Sequence, residues 1–119
     1  MSNNMRILIV DDEIEFVDTL KERLRFKNVL IDLAYDGKLA LELIKFNNYD
    51  IVFLDQDMPE MTGVELVKYM KENKIGSKTV MITGYPGMSG SLAGIIGTDE
   101  YLTKPVALKD VEDIIEKYR

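Results

Sequence analysis

At 119 residues, with 46% hydrophobic and 30% charged residues, the chain has the length of one domain with a single buried core and none to spare for a second. A net charge of -6 without any long run of Lys or Arg argues against binding to nucleic acid or an anionic membrane, whose phosphates would be repelled on average. With no Cys and no His, disulfides, thiolate chemistry and the commonest acid/base and zinc ligands are excluded, which leaves carboxylates, Lys and hydroxyl groups to carry any chemistry.

Met1 to Asn4 is polar, and the apolar run Ile7 to Val10 is cut short by Asp11, Asp12 and Glu13. That run is too short for a signal peptide or a membrane span, so a soluble, cytoplasmic protein is expected. Continuous apolar runs suit strands covered on both faces, which makes Ile7 to Val10 a central strand. Ile14, Val17, Leu20 and Leu24 then follow a helical period. Val29 to Ala34 is a strand interrupted by Asp32 and so belongs nearer a sheet edge. Asp36, before Gly37, is a turn former or helix cap. Leu39, Ala40, Leu43 and Ile44 make a second helical stripe, Ile51 to Leu54 a second central strand, and Leu66, Val67 and Met70 a third helix. Val80 to Ile82, preceded by Thr79, is another buried strand. Pro86 to Ile96 carries a stripe of Met88, Leu92, Ile95 and Ile96, but Gly87, Gly90, Gly94 and Gly97 each weaken a helix by up to about 1 kcal/mol, so this helix should be short or mobile. Glu100 to Thr103 alternates like an edge strand, and Val111, Ile114, Ile115 and Tyr118 form the last helical stripe. Strict alternation of strand and helix predicts right-handed crossovers and an α/β fold: a three-layer, doubly wound, five-stranded parallel sheet with three inner and two outer strands, as in the order 2-1-3-4-5.

In such a sheet the ligand site lies beyond the C-terminal ends of the strands. Asp11 and Asp12 follow the first strand, Asp55 and Asp57 the third, Thr83 and Gly84 the fourth, and Lys104 and Pro105 the fifth. Taken singly, Asp11 could cap the following helix through Glu13, Thr83 could be a turn residue and Lys104 a solvated lysine. Taken together, they converge. Two carboxylates about 5 Å apart repel by roughly 3 kcal/mol at an effective dielectric of about 20, so positive charge must lie between them. Lys104 supplies one charge, and an oxygen-only ligand set suits Mg²⁺ or Mn²⁺. A phosphoryl group arriving on Asp55 would meet the cation, Lys104, the Thr83 hydroxyl and the Gly84 amide.

These residues resemble the response-regulator receiver family across essentially the whole chain. The resemblance rests on Ile9-Val10-Asp11-Asp12-Glu13, Leu54-Asp55-Gln56-Asp57-Met58-Pro59 with Gly63, Thr83-Gly84-Tyr85, and Tyr101-Leu102-Thr103-Lys104-Pro105, in order and at family spacing. It implies one receiver domain over residues 1–119 with the flavodoxin-like fold. Asp55 would be the phosphoacceptor, Asp12 and Asp55 direct metal ligands, Asp11 a direct or water-mediated one, and Asp57 a ligand through its main-chain carbonyl. Thr83 and Lys104 would contact phosphoryl oxygens, and Tyr101 would be the aromatic that changes rotamer on activation. A cis peptide before Pro105 would aim Lys104 into the site. The implied partners are a histidine kinase or histidine phosphotransfer protein and a downstream target or output domain. The latter would be read through the surface formed by Pro86 to Ile96, the fifth strand and the C-terminal helix. The implied activity is confined to the protein's own phosphorylation and dephosphorylation.

The sequence departs from the family in its glycines. Gly84 stands where Ala is frequent, and weak order is expected from Gly84 to Gly97. The side chains of Asp57 and Tyr85 flank the expected path of an attacking water. Three other readings are weighed. A phosphatase of the haloacid dehalogenase type shares the Asp55-Gln56-Asp57 spacing, but its nucleophile follows the first strand and its acidic pair comes last. A flavodoxin-type flavin carrier needs a phosphate cradle where Asp11, Asp12 and Glu13 would repel one. A receiver-like module that signals without phosphorylation would not need all four groups.

Overall fold

A computed structural model describes residues 4–25, 27–84 and 97–119. Apolar residues on both faces of β1 (Met5–Val10), β3 (Ile51–Asp55) and β4 (Lys78–Thr83) force these strands into the middle of a sheet, since either face left in water would expose a row of Ile, Leu, Val or Phe. β2 (Val29–Ala34) and β5 (Glu100–Thr103), each only half covered, take the edges. The order is β2-β1-β3-β4-β5 and every pairing is parallel.

Successive strand residues face opposite sides, and two cores result. Ile7, Ile9, Phe53, Val80 and Ile82 meet Val17, Leu20 and Leu24 of α1 (Ile14–Leu24) and Val111, Ile114 and Ile115 of α4 (Leu108–Tyr118). Leu8, Val10, Val52, Leu54 and Met81 meet Ala40 and Ile44 of α2 (Gly37–Phe46) and Leu66, Val67 and Met70 of α3 (Gly63–Glu72). This is the three-layer arrangement expected from the sequence. The starts of α2 and α3 are local in origin. Asp36 accepts the Leu39 N–H at 2.7 Å, and Thr62 and Glu65 form a reciprocal capping box. The predicted helix over Pro86 to Ile96 lies outside the described residues, as does all but Gly84 and Gly97 of the stretch expected to be weakly ordered.

β1 is longer than its apolar run suggests. Met5 and Arg6 extend β1, paired with Val29 and Leu30, and the Arg6 N–H reaches Asp50 Oδ2 at 2.8 Å. The Arg6 guanidinium lies 3.3 Å from Asp32 and stacks 5.3 Å from the Tyr49 ring centroid, and the Tyr49 hydroxyl donates to Asp32 at 2.6 Å. The acid that interrupts the β2 pattern is therefore held in a polar network at the sheet edge. Burial and the Asp32 partner together raise the Tyr49 hydroxyl above its ordinary pKa.

The loop after β3 closes tightly on the strand end. A Cβ on Gly63 would lie 2.7 Å from Met81 Sδ and 2.8 Å from the Asp55 carbonyl oxygen. Gly63→Ala is therefore expected to cost about 1–3 kcal/mol. Urea denaturation would show this as a lower midpoint at unchanged slope; an unchanged midpoint would mean that the loop can step back.

Candidate functional site

The strands deliver the predicted residues by continuing their ladders one step. The Asp11 N–H donates to the Ala34 carbonyl at 3.1 Å, and the Lys104 N–H to the Thr83 carbonyl at 2.8 Å. Asp55 is the last residue of β3, and the following Gln56 N–H donates to the Ile82 carbonyl at 2.8 Å. Gln56 Oε1 accepts the Val64 N–H at 2.9 Å, tying the loop to the start of α3. The peptide between Lys104 and Pro105 is cis, as the resemblance implies.

Asp11, Asp12 and Asp55 come together, with one carboxylate oxygen of each within 4.8 Å of the others. Asp11 and Asp55 are buried and Asp12 is exposed. Lys104 reaches this cluster, its Nζ 3.3 Å from Asp55 Oδ1 and 3.8 Å from Asp11 Oδ2. Asp11 Oδ1 accepts the Glu13 N–H at 2.9 Å and Asp55 Oδ1 accepts the Asp57 N–H at 3.2 Å. The capping role considered for Asp11 is met only in part: its Oδ1 binds the N–H of Glu13, the N-cap residue of α1, and no side chain caps that helix.

The second oxygens carry the chemical message. Asp11 Oδ2 and Asp55 Oδ2 are buried and accept no hydrogen bond from the described residues. Buried acceptors without donors cost roughly 1–3 kcal/mol each, more when charged. An oxygen-only cluster with orphaned, converging lone pairs fits a hard divalent cation. The same crowding shows in the proton affinities. Burial, opposed by the Glu13 N–H and aided by the Asp55 charge, pushes the Asp11 carboxyl up to about 7. Burial also raises Asp55, although the Asp57 N–H and Lys104 pull it down. For Lys104 burial acts downward, but the hydrogen bond to Glu13 and the charges of Asp11 and Asp55 prevail and the ammonium is held above its usual range.

The other predicted residues surround this centre. Thr83 is buried at the end of β4, and Gly84 beside it is exposed, with no atom of the described residues within 4 Å of where a Cβ would stand. Asp57 is exposed and lies outside the acidic cluster; its N–H, but not its carboxylate, engages Asp55. Tyr101 is 36% exposed on β5, on the opposite side from Leu102, which packs into the core. Tyr85 lies outside the described residues. Glu13 was not singled out from the sequence except as a capping partner, yet its Oε1 lies 2.7 Å from Lys104 Nζ, nearer than either aspartate. Three consecutive acids after the first strand, with a lysine after the fifth, was the available signal. An open cleft of about 400 Å³, lined by Glu13, Phe16, Gly84, Lys104, Pro105 and Val106, adjoins the site.

Residues 7–116 match the response regulator receiver domain family. The chain is 36% identical over 108 residues to the transcriptional regulatory protein CutR of Streptomyces coelicolor, covering 90% of this chain and 50% of CutR. It thus spans about half the length of the curated relatives it matches. The receiver domain of a Francisella response regulator superposes with a TM-score of 0.89 at 28% identity, covering 97% of this chain and 96% of that one. The response regulator TrrA of Thermotoga maritima, solved in complex with Mg(2+)-BeF, superposes with a TM-score of 0.85 at 32% identity, covering 97% and 99% of the two chains. None of the helices in the described residues is long and apolar enough to cross a membrane.

Proposed function

The chain belongs to the response regulator receiver domain family of two-component signalling, and on that footing we propose that Asp55 is its phosphoacceptor, working with Asp11, Asp12, Thr83, Gly84 and Lys104. The observation that carries this is the pair of orphaned oxygens, Asp11 Oδ2 and Asp55 Oδ2, beside a lysine that approaches both residues. Asp11, Asp12 and Asp55 would hold Mg²⁺ or Mn²⁺, with the Asp57 main-chain carbonyl as a further ligand. When bound, the cation supplies positive charge against the oxygens of the incoming group. A TrrA structure carrying Mg(2+)-BeF supports this assignment.

Phosphoryl transfer then follows from the residues themselves. An Asp55 carboxylate oxygen attacks phosphorus, the bond from phosphorus to the donor's leaving group breaks, and the leaving group departs with the electron pair. Lys104 neutralises one equatorial oxygen, while the Thr83 hydroxyl and the Gly84 N–H donate to others. In the reverse direction water attacks phosphorus and the carboxylate of Asp55 departs, with Asp57 and Tyr85 beside the water's path. The phosphoryl group carries close to two negative charges on three acceptor oxygens, about one charge more than the Asp55 carboxylate it replaces. These draw Thr83 inward, and Tyr101 turns into the space it leaves, altering the face presented by β5 and α4 to a target or output domain. A histidine kinase or phosphotransfer protein is the donor, and the protein turns over no other substrate.

The test is intact mass after incubation with acetyl phosphate. A gain of one phosphoryl group with Mg²⁺, and none with a chelator, is expected; no gain with the metal shown to bind would favour a module that signals without phosphorylation. Hydrolysis of small phosphate esters with turnover would instead indicate a phosphatase.

A further inference from the structure

Lys104 has three acidic neighbours and does not serve them equally. Its Nζ is 2.7 Å from Glu13 Oε1, against 3.3 Å from Asp55 and 3.8 Å from Asp11. Glu13 stands at the N-cap of α1, but its side chain caps nothing there, so its carboxylate is committed to the lysine. Its backbone is held in place because its own N–H is bound by Asp11 Oδ1. The result is a cation tethered at the mouth of the site by a residue that is not part of the acidic cluster.

We propose that Glu13 is a positioning residue, a latch that holds Lys104 partly off Asp55 in the unphosphorylated protein and releases it when a phosphoryl group arrives. The inference rests on the reading of Asp55 as the phosphoacceptor. A lysine ammonium is a compact charge on a flexible stem and can change partner without moving the backbone. A phosphoryl group on Asp55 offers nearly two negative charges and three acceptors where the Asp55 carboxylate offered one charge, a net gain of about one charge on that side, while Glu13 keeps the single charge of a carboxylate whose side chain is 59% exposed. The contact between Glu13 and Lys104 therefore belongs to the unphosphorylated state alone, and by linkage its free energy is subtracted from the affinity for the phosphoryl group. Glu13 thereby lowers the fraction phosphorylated at a given donor concentration and helps Lys104 return when phosphate leaves.

The probe is beryllofluoride, a mimic of the phosphoryl group, titrated at saturating Mg²⁺ into the whole chain. Glu13→Gln keeps the shape and removes the charge, and is expected to bind the mimic about 2–5-fold more tightly than the wild type, the range for a partly exposed ion pair. In a Lys104→Met background the same substitution is expected to change nothing. Unchanged or weaker binding in Glu13→Gln would overturn the latch. So would equal tightening with and without Lys104, which would mean that Glu13 simply repels the anion. Failure of the wild type to bind beryllofluoride would overturn the reading of Asp55, and the latch with it. A second readout needs no metal: in protein labelled with ¹⁵N-lysine, Glu13→Gln is expected to shift the Lys104 ammonium resonance, and an unmoved resonance would overturn the proposal.

Discussion

Asp55→Ala is expected to take up no phosphoryl group from acetyl phosphate in the presence of Mg²⁺, and the same variant is expected to unfold at a higher urea concentration than the metal-free wild type. The two results belong together because both follow from the surroundings of one carboxylate. Asp55 is 1% exposed, one of its oxygens lacks any donor among the described residues, and burial raises its proton affinity. A group whose pKa is raised costs stability at neutral pH, so its removal returns about 1–3 kcal/mol, the usual penalty of an unsatisfied buried group. Lys104 is not orphaned by the change, since Glu13 and Asp11 still face it. Incorporation that survives in Asp55→Ala would move the acceptor to another carboxylate. A lower urea midpoint would mean that lost chemistry had come from a damaged fold.

The second large effect is on stability against pH. Asp11 has its carboxyl raised from 3.8 to about 7 in the folded protein. Below about pH 4 the group is protonated whether the chain is folded or not, and it costs nothing. As pH rises from there, the unfolded chain releases this proton first, so stability falls until the folded carboxyl has also ionised near pH 7, and then levels off. A displacement of that size corresponds to about 4 kcal/mol as a ceiling, reduced because Asp55 competes for the same proton. Asp11→Asn should therefore flatten the stability profile of the metal-free protein between pH 4 and 7 by roughly 2–4 kcal/mol. Glu100 works with the opposite sign. Its hydrogen bonds from Lys117 and Tyr118 lower its pKa, so the stability it adds is lost only as pH falls below its ordinary range, and equally in both proteins. Mg²⁺ added at pH 7.5 should restore about 2–3 kcal/mol to the wild type at a hundredfold excess over its dissociation constant, and less to Asp11→Asn. Parallel urea titrations of the two proteins across this range decide it: identical slopes against pH would show that Asp11 is not the group that titrates.

Much of the architecture was legible because it is written locally. The runs Ile7 to Val10, Ile51 to Leu54 and Val80 to Ile82 have no polar face, so no arrangement except a central strand buries them. Val17, Leu20 and Leu24 recur at helical spacing and lie in the core. Asp36 was legible as a cap because its hydrogen bond reaches only as far as Leu39. The convergence of Asp11, Asp55 and Lys104 was legible once the sheet order was, since parallel strands bring their C-terminal ends to one side.

The amino-acid order by itself thus determined which residues form the described strands and helices, which strands lie inside the sheet and which at its edges, while the exact strand order, and with it which side chains gather at one end, came partly from the resemblance to the receiver family. The elements and their inner or outer places follow from periodicity, turn chemistry and the handedness of the backbone, all short-range properties. Only the tertiary structure decided how the charges are shared. Glu13 and Lys104 are 91 residues apart, and whether the lysine favours Glu13 or Asp55 turns on 2.7 Å against 3.3 Å. Arg6 and Tyr49 likewise converge on Asp32 only because β1 and β2 lie side by side. Coulomb energies and hydrogen bonds change steeply over fractions of an ångström, and such distances are set by the packing of the whole sheet and its helices.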